Sequence, residues 1–384
     1  MAQSDWLHPA FTLADPRGEV DAAALIEAGR HLDGQNLVLP HPDARAILAG
    51  LVAHETSGGD LFIQRDTGVE VLDGQGQGLI WLQSSGSTGK PKWASHRLDE
   101  LKSRLAGGQA RGTWLLTYAP GSFAGLQVIL SAALGGHHLV TGAPGASATD
   151  IAGLAVRHKV SHISGTPTFW RAFLIALGDG DLDLAAVTLG GEAADQALLD
   201  ALAARFPSVH LRHIYATTET GTLFTISDGR AGFPASWFET GIGALRLGRS
   251  ERETLTVRGG RLGELAIDTG DCIAVEGDRA LFRGRIDSVV NIGGVKVWPE
   301  EVEAHILALD CVADVLVSPR ANPVTGHILV AEIVLAAGAM PDIHEAQIKK
   351  HVMDLPRAAR PAMIRYKTHL DTGQTGKKAR AGGA

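Results

Sequence analysis

A run of nine residues rich in hydroxyl, glycine and lysine side chains is the part of this sequence best suited to phosphate chemistry. It reads Ser84-Ser85-Gly86-Ser87-Thr88-Gly89-Lys90-Pro91-Lys92. Backbone N–H groups, hydroxyls and ammonium groups in such a run can donate hydrogen bonds to phosphate oxygens. The glycines permit positive φ and close approach of a ligand. This composition predicts a loop that binds a phosphate chain.

The spacing of the run does not fit a Walker-type P-loop. That motif requires a glycine, about four further residues and then Gly-Lys-Ser/Thr. Here Gly89-Lys90 is followed by Pro91, and Ser84 stands where the first glycine belongs. Pro91 also disfavours a helix directly after the loop. The apolar run at 78–83 predicts a buried strand before the loop. Taken alone, the loop can also be interpreted as a solvated Ser/Gly turn between strands.

Size, charge and composition narrow the class of protein. The chain has 384 residues, enough for one large domain and a smaller one. Its net charge of −7 does not indicate a nucleic-acid or anionic-membrane partner. Cys272 and Cys311 form no Cys-x-x-Cys pair, and we expect them to be small buried residues in a reducing compartment. With no signal-peptide pattern and no apolar run of membrane-spanning length, the sequence predicts a cytoplasmic protein.

Alternation of strand and helix patterns predicts an α/β fold. After the loop, strands are predicted at 114–118, 138–141, 160–163, 186–189 and 211–215, and helices at 98–105, 126–134, 151–158, 168–177 and 197–206. Before the loop, the pattern predicts helices at 21–32 and 41–54 and a strand at 60–64. The stretch 222–262 shows no clear periodicity, and strands are expected next at 263–267 and 281–283. The last hundred or so residues predict a separate α+β unit.

Short motifs in a fixed order resemble those of the adenylate-forming superfamily, which includes acyl- and aryl-CoA synthetases, adenylation domains of peptide synthetases and firefly luciferase. The loop matches the family pattern Ser/Thr-Ser-Gly-Ser/Thr-Thr-Gly-x-Pro-Lys-Gly except at its last position, where Trp93 stands. The later matches are Gly190-Gly191-Glu192-Ala193, Tyr215-Ala216-Thr217-Thr218-Glu219, Thr269-Gly270-Asp271, Gly284-Arg285-Ile286-Asp287, Gly293-Gly294 with Pro299 to Glu303, and Gly376-Lys377-x-x-Arg380.

The resemblance implies a fold and a domain organisation. Residues 1–286 are expected to form a large N-terminal domain of layered α/β subdomains, and residues 287–384 a small mobile α+β lid. Superfamily members usually carry a much longer segment before the phosphate loop. We therefore expect the first subdomain to be truncated in this chain.

The resemblance also implies a reaction in which ATP activates a carboxylic acid as an acyl-adenylate and pyrophosphate leaves. Lys377 would bridge the acid and the α-phosphate, Glu219 would hold Mg²⁺, and Thr218 would hydrogen-bond the α-phosphate. The residues implied to bind ATP or AMP are Ser84, Ser85, Gly86, Ser87, Thr88, Gly89, Lys92, Gly191, Glu192, Ala193, Tyr215, Asp271 and Arg285.

Within this set, the family places Tyr215 and the turn at 191–193 against adenine, and Asp271 with Arg285 at the ribose. The residues implied to form the acyl pocket are Ser122, Phe123, Gly190 and Ala216. The implied hinge is Asp287, and the implied thiol tunnel is lined by Gly293 and Gly294.

The acceptor of the acyl group has two candidates. The first hypothesis is CoA, which would make the chain an acyl- or aryl-CoA ligase. The second is the phosphopantetheine of a carrier protein, loaded by a stand-alone adenylation enzyme. A third alternative is a catalytically inactive homologue that binds a nucleotide or an acyl group. Four departures from the family keep this last alternative open. They are the shortened segment before the phosphate loop, Trp93 in place of glycine, Phe123 at the histidine of the family's Pro-x-x-His-x-x-Gly motif, and Asp371 and Gly373 in the tail motif.

Overall fold

A computed structural model gives the fold over residues 6–32, 36–71, 76–84, 92–103, 105, 111–218, 220–336 and 338–370. The first elements, in chain order, are β1 (Thr12–Asp15), β2 (Gly18–Asp21), α1 (Ala22–Arg30), β3 (Asn36–Pro40), α2 (Ala44–Ser57), β4 (Asp60–Gln64), β5 (Ile80–Ser84), β6 (Lys92–His96) and α3 (Leu98–Lys102). Strands β3 to β6 form a four-stranded sheet in that order, parallel from β3 to β5 and antiparallel at β6. The Asp21 and Asp43 side chains cap α1 and α2 by accepting backbone N–H groups.

The next elements build the largest sheet. They are β7 (Thr113–Leu116), α4 (Phe123–Leu134), β8 (His138–Thr141), α5 (Ala148–Arg157), β9 (His162–Gly165), α6 (Pro167–Leu177), β10 (Ala186–Gly190), α7 (Gln196–Arg205), β11 (His210–Thr217) and β12 (Gly221–Ile226). The sheet has eight strands in the order β12-β11-β10-β9-β7-β8-β1-β2. Strands from β11 to β1 are parallel, and the two outer strands are antiparallel.

The order of strands reverses around β7. The chain leaves β7 for β8 on one side and then crosses to β9, β10 and β11 on the other side. In open α/β sheets, ligands bind beyond the carboxyl ends of the strands at such a reversal. The topology therefore predicts a ligand site beside the residues that follow β7 and β9.

A five-stranded antiparallel sheet follows, in the order β13-β17-β16-β15-β14. Its elements are β13 (Phe233–Pro234), α8 (Trp237–Thr240), β14 (Leu245–Arg249), β15 (Thr254–Gly259), β16 (Ile267–Glu276) and β17 (Arg279–Arg285). The prediction of a strand at 263–267 is wrong. Only Ile267 of that range belongs to a strand, and this strand, β16, continues through Asp271. Strands within 222–262 gave no sequence signal because their exposed and buried positions do not alternate regularly.

The C-terminal elements form a compact α+β unit. They are β18 (Val290–Ile292), β19 (Val295–Val297), α9 (Pro299–Leu307), β20 (Val312–Asn322), β21 (Gly326–Leu335), α10 (Pro341–Val352) and β22 (Met363–Lys367). Pro299 occupies the first turn of α9, as its sequence predicted. Val302, Ile306, Val315 and Ile333 belong to a hydrophobic cluster made only of residues from this unit. The predicted fold class is confirmed, while the boundary at 286/287 stays a prediction.

Two hydrophobic clusters hold the eight-stranded sheet between layers. One joins it to the four-stranded sheet through residues such as Leu13, Leu82 and Ile129. The other packs Trp170 and Val187 among the residues of α5, α6 and α7. Across the described ranges, no helix is both long enough and apolar enough to cross a membrane.

Histidines gather at the amino ends of the central strands, opposite the predicted site. The His162 ring stacks on Trp114 with centroids 5.0 Å apart, and His137 lies 5.4 Å from the same indole. Burial, with smaller contributions from the charges of His137 and Arg212, lowers the pKa of His162 to about 4. This histidine is therefore neutral in the folded protein at neutral pH.

We expect this histidine to make the fold acid-sensitive. Because its pKa falls from 6.5 when unfolded to about 4 when folded, the unfolded chain takes up a proton first and stability declines from pH 6.5 towards pH 4. His162→Gln should flatten the pH dependence of the thermal midpoint in that window. The control is His210→Gln, at an exposed position of β11. Equal slopes for wild type and His162→Gln would contradict this account.

Candidate active site

The segment that follows β7 is tied to the ends of its neighbours. The Thr117 hydroxyl donates to the Ser164 carbonyl at 2.5 Å, and the buried Tyr118 hydroxyl donates to the Gly190 carbonyl at 3.4 Å. Burial raises the pKa of Tyr118, so the phenol stays a neutral donor. These bonds join the carboxyl ends of β7, β9 and β10 at the strand reversal. Sequence analysis missed Tyr118, although its place at the end of an apolar strand was a usable signal.

The turn after β10 has little room for side chains at its start. A Cβ on Gly190 would lie 3.3 Å from the Tyr118 hydroxyl, and Gly191 has a φ of +84°. The Glu192 carboxylate accepts the backbone N–H of Thr168 at 3.1 Å and its hydroxyl at 2.7 Å. Glu192 thereby joins the turn to the first residues of α6. The turn, which includes Ala193, is a preformed feature of the site.

Three residues predicted to bind the nucleotide meet in the structure. Tyr215, near the end of β11, donates its hydroxyl to the Asp271 carboxylate, and Arg285 Nη1 donates to Asp271 Oδ1 at 3.2 Å. The Tyr215 ring lies nearly parallel to Phe224 and Phe282, with centroids 5.0 Å away in each case. Burial and the Asp271 charge raise the pKa of Tyr215, which keeps its proton on the phenol. Stacking of this ring on adenine stays a prediction.

Arg285 also reaches the predicted hinge. Its Nη2 lies 3.8 Å from Asp287 Oδ2, while its Nη1 contacts Asp271. The guanidinium is about half exposed, so these ion pairs are screened and individually weak. Arg285 therefore lies between the predicted ribose ligand and the predicted hinge.

Thr218, the first residue of the Thr-Glu motif, lies in a turn that follows β11. The Thr217 and Thr220 hydroxyls are 2.9 Å apart, and the Thr220 N–H donates to Thr217 Oγ1 at 3.1 Å. Thr218 is half-buried within this turn. Glu219 lies outside the described residues.

The segment 117–122, which joins β7 to α4 and is called the elbow below, leads into a helix that begins earlier than the sequence predicted. Ser122 caps α4: its Oγ accepts the N–H of Gly125 at 3.0 Å and donates to the Ala119 carbonyl at 2.7 Å. The helix therefore begins at Phe123 and not at Leu126. A Ser followed by small and apolar residues was a usable capping signal.

Phe123 borders a small cleft between α3, α4 and β12. The cleft is lined by His96, Glu100, Leu101, Phe123, Gln127, Gly221 and Thr222. Ala216 pairs with Thr222 across β11 and β12, which places it beside this cleft. Sequence analysis missed His96 and Gln127. Gln127 lies one turn beyond Phe123 in α4, whereas His96 ends β6 and only the fold brings it to Phe123.

Several predicted residues fall outside the described part of the chain. These are Ser85, Gly86, Ser87, Thr88, Gly89, Glu219 and Lys377. Ser84 ends β5 and Lys92 begins β6, and the two residues are paired in antiparallel register. A strand, not a helix, therefore follows Pro91, which agrees with the rejection of a Walker motif.

The glycines predicted for the thiol tunnel form the exposed turn between β18 and β19. Gly293 and Gly294 have φ values of +58° and +88°. The Gly294 N–H donates to Asn291 Oδ1 at 2.9 Å, and the Gly293 N–H donates to the Thr325 carbonyl at 3.0 Å. The turn requires glycine for its backbone conformation, apart from any role towards a ligand.

Among the described residues, one further group has side chains of metal-binding type: His305, His351 and Asp354. The two imidazoles stack with centroids 4.0 Å apart and an interplanar angle of 12°. Each Nε2 bonds the backbone carbonyl of the other histidine, at 2.9 and 2.8 Å. Lone pairs that lie in two stacked planes do not converge on one ion, so the pair acts as a link between α9 and α10.

Comparison with known proteins agrees with this geometry. Residues 61–248 match the sequence model of the AMP-binding enzymes, and residues 301–377 match that of the AMP-binding enzyme C-terminal domain. The crystal structure of the anthranilate CoA ligase AuaEII in complex with anthranoyl-AMP has the same fold. It superimposes with a TM-score of 0.74 at 17% identity, covering 95% of this chain and 92% of that one.

Two curated relatives illustrate the range of acceptors. The 3,4-dihydroxybenzoate–[aryl-carrier protein] ligase of Bacillus anthracis is 35% identical over 100 residues, which are 26% of this chain and only 23% of that protein. The 4-coumarate–CoA ligase 1 of Glycine max is 26% identical over 231 residues, 51% of this chain and 78% of the relative. The chain belongs to the AMP-binding enzymes, the adenylate-forming superfamily, which confirms the resemblance drawn from the motifs.

The bond from Tyr215 to Asp271 can be tested by Tyr215→Phe. Removing the hydroxyl should free the Asp271 carboxylate to move, and we expect the Kd for ATP to rise about three- to tenfold, the net worth of one typical hydrogen bond. Isothermal titration calorimetry measures the change. The matched control is Tyr366→Phe in the C-terminal unit, where the buried hydroxyl has no hydrogen-bond partner among the described residues. An unchanged Kd for Tyr215→Phe would show that this bond does not shape the nucleotide site.

Proposed function

We propose that this chain is an AMP-forming acid–thiol ligase, which activates a carboxylic acid with ATP and transfers the acyl group to CoA. The observation that supports it best is the convergence of Tyr215, Asp271 and Arg285 at the carboxyl end of β11. Because Gly190 pairs with Ile214, this cluster lies directly beside the turn that follows β10. A carboxylate paired with an arginine suits the vicinal hydroxyls of ribose.

The chemistry proceeds in two displacements. A carboxylate oxygen of the acid attacks the α-phosphorus of ATP, the bond to the bridging oxygen breaks, and pyrophosphate leaves. The thiol then loses its proton to solvent, its sulfur attacks the acyl carbonyl, the bond from the carbonyl carbon to the phosphate oxygen breaks, and AMP leaves. Both reactants in the first step are anions, so the site must supply counter-charge and orientation.

We assign the nucleotide contacts by position. Residues 84–92 bind the β- and γ-phosphates, while Gly191, Glu192 and Ala193 lie against adenine. Since Glu192 is bonded to Thr168, its contribution is to fix the shape of that turn. Asp271 and Arg285 bind the ribose, and Thr218 donates to the α-phosphate.

Glu219 is the residue we assign to Mg²⁺. A carboxylate is the ligand type this ion prefers, and hydrogen bonds join Thr217 to Thr220, the described residues that flank the motif. When bound, the ion offsets the charge that develops on pyrophosphate.

Lys377 is assigned to the adenylation step. Its ammonium group would approach the acid and the α-phosphate, where negative charge accumulates. Lys377→Ala should lower adenylation by about 10²- to 10³-fold, comparable to the loss of one donor that stabilises a developing anion. Pyrophosphate exchange into ATP measures this step.

The neighbouring lysine provides the control. Lys378→Ala keeps the length of the tail and its other basic residues, and we expect exchange within about threefold of wild type, because most substitutions away from a catalytic group have small effects. Thioester formation from supplied acyl-adenylate should survive Lys377→Ala. If both alanine variants exchange pyrophosphate equally, the assignment to Lys377 is wrong.

CoA is the acceptor we propose first, with a carrier protein second. A glycine turn such as Gly293-Gly294 lets a narrow pantetheine arm pass, and Asp287 would be the hinge that presents it. The same arm occurs in CoA and in carrier proteins. The curated relatives divide in the same way, between a CoA ligase and an aryl-carrier protein ligase.

Ser122, Phe123, Gly190 and Ala216 are the residues we assign to the acid. Phe123 and the cleft beside it offer an aromatic wall with polar neighbours in His96 and Gln127. The acids acted on by the named relatives are aryl acids or an aryl-propenoic acid, so aryl acids come first in the test.

A panel of aryl and alkyl acids should be assayed for AMP release, with no thiol, with CoA, or with a phosphopantetheinylated carrier protein. We expect one aryl acid to give AMP and a thioester when CoA is present. Thioester only on the carrier would favour the second acceptor. ATP binding without AMP formation from any acid would instead favour an inactive homologue.

A further inference from the structure

Arg65 follows β4 and is joined to the residue that precedes Ser84. Gln83 is 1% exposed, and its Oε1 accepts the backbone N–H groups of Arg65 at 2.8 Å and Asp66 at 2.7 Å. Its Nε2 donates to the Asp66 carbonyl at 3.0 Å. The Arg65 guanidinium also bonds Gln83, since its Nη2 donates to the Gln83 backbone carbonyl at 2.7 Å. The end of β4 is therefore held at the point where the phosphate-loop sequence begins.

No carboxylate is bonded to Arg65 among the described residues. Its Nε is buried without a hydrogen-bond partner there, and burial lowers its pKa without an opposing acidic group. Arg65 itself is half-buried. The two arginines that are fully buried among the described residues do have acids: Arg171 contacts Asp195, and Arg279 contacts Asp228 at 2.6 Å. Buried charges are ordinarily paired, because removing a charge from water is costly. The buried Nε of Arg65 has no such acid among the described residues, beside the predicted phosphate-binding loop.

The aliphatic part of Arg65 packs on the elbow after β7. A Cβ on Gly121 would lie 3.1 Å from Arg65 Cγ and 3.0 Å from Ile63 Cγ2. Gly121 comes immediately before Ser122 and Phe123, which begin α4 and belong to the predicted acyl pocket. Arg65 therefore contacts both sides of the site: the residue before the phosphate loop and the elbow before the acyl pocket.

We propose that Arg65 is a positioning residue for adenylation, which fixes the start of the phosphate-binding loop against the elbow that carries Phe123. The inference rests on the proposed function, since it takes residues 84–92 as the phosphate site. The hydrogen bond from the Arg65 guanidinium to the buried Gln83 carbonyl has a cationic donor and is therefore stronger than one between neutral groups. The charge, which no acid offsets among the described residues, also favours an anion bound nearby.

The decisive variant is Arg65→Met, which keeps the aliphatic stem on Gly121 and removes the guanidinium. We expect the Kd for MgATP to rise on the order of tenfold, equivalent to roughly 1.4 kcal/mol. The KM for the acid should change by less than about threefold, because the stem still supports the elbow. Arg65→Lys keeps the charge but not the planar fork and should recover part of the affinity. Calorimetric titration with MgATP and thermal denaturation are measured together.

The matched control is Arg205→Met. Arg205 Nη2 also donates to a backbone carbonyl, that of Gly180, at 2.6 Å. It ends α7, at the side of the sheet opposite the strand carboxyl ends. This variant should lower the thermal midpoint at least as much as Arg65→Met while leaving ATP affinity unchanged.

The outcomes separate this inference from the proposed function. Wild-type protein that binds no ATP would overturn both. Wild-type binding that Arg65→Met leaves unchanged, or that Arg205→Met weakens equally, would overturn the positioning role alone. If Arg65→Met does not fold, Arg65→Lys decides: a Kd raised by about threefold supports the role, and an unchanged Kd rejects it.

Discussion

The parallel pairing of β11, β10, β9, β7, β8 and β1 is the constraint on which the rest of this structure depends. Parallel neighbours must be joined by crossovers, so the chain returns through a helix each time and every strand ends at the same edge. Because the order reverses at β7, the helices leave that edge in opposite directions. The opening between them receives Tyr118, the Gly190–Ala193 turn and Tyr215 from separate strands.

Hydrogen bonds among neighbouring loop residues then hold this edge in one arrangement. Tyr118 joins β7 to β10, Thr117 joins β7 to β9, and Glu192 joins the turn after β10 to α6. These groups are buried or half-buried, so each bond left unmade would cost more than an exposed one. A site organised in this way before ligand binds avoids part of the entropy cost of ordering it later.

Two contacts between the C-terminal unit and the large domain, both among the described residues, lie near the predicted site. Arg171, one turn beyond Thr168 in α6, pairs with Asp195 and lies 3.9 Å from Asp314 in β20. Arg283 of β17 stacks over Trp298 at 4.2 Å and pairs with Glu301 of α9. The second contact lies two residues from Arg285. If the C-terminal unit moved, these packed side chains as well as the backbone would displace the residues around Asp271.

The sequence by itself determined most of the regular elements between 114 and 215, because strands and helices alternate there with clear periods. It also determined the family, because the motifs that identify it are local. It did not reveal the strands in 222–262, where burial does not alternate, or the start of α4, where Ser122 caps one turn earlier than the apolar run indicates. Only the tertiary structure brought Asp271 to Tyr215, joined Arg65 to Gln83 and placed His96 beside Phe123. These contacts join residues far apart along the chain or on different elements, and their geometry depends on sheet order and crossover direction, which no local pattern of residues encodes.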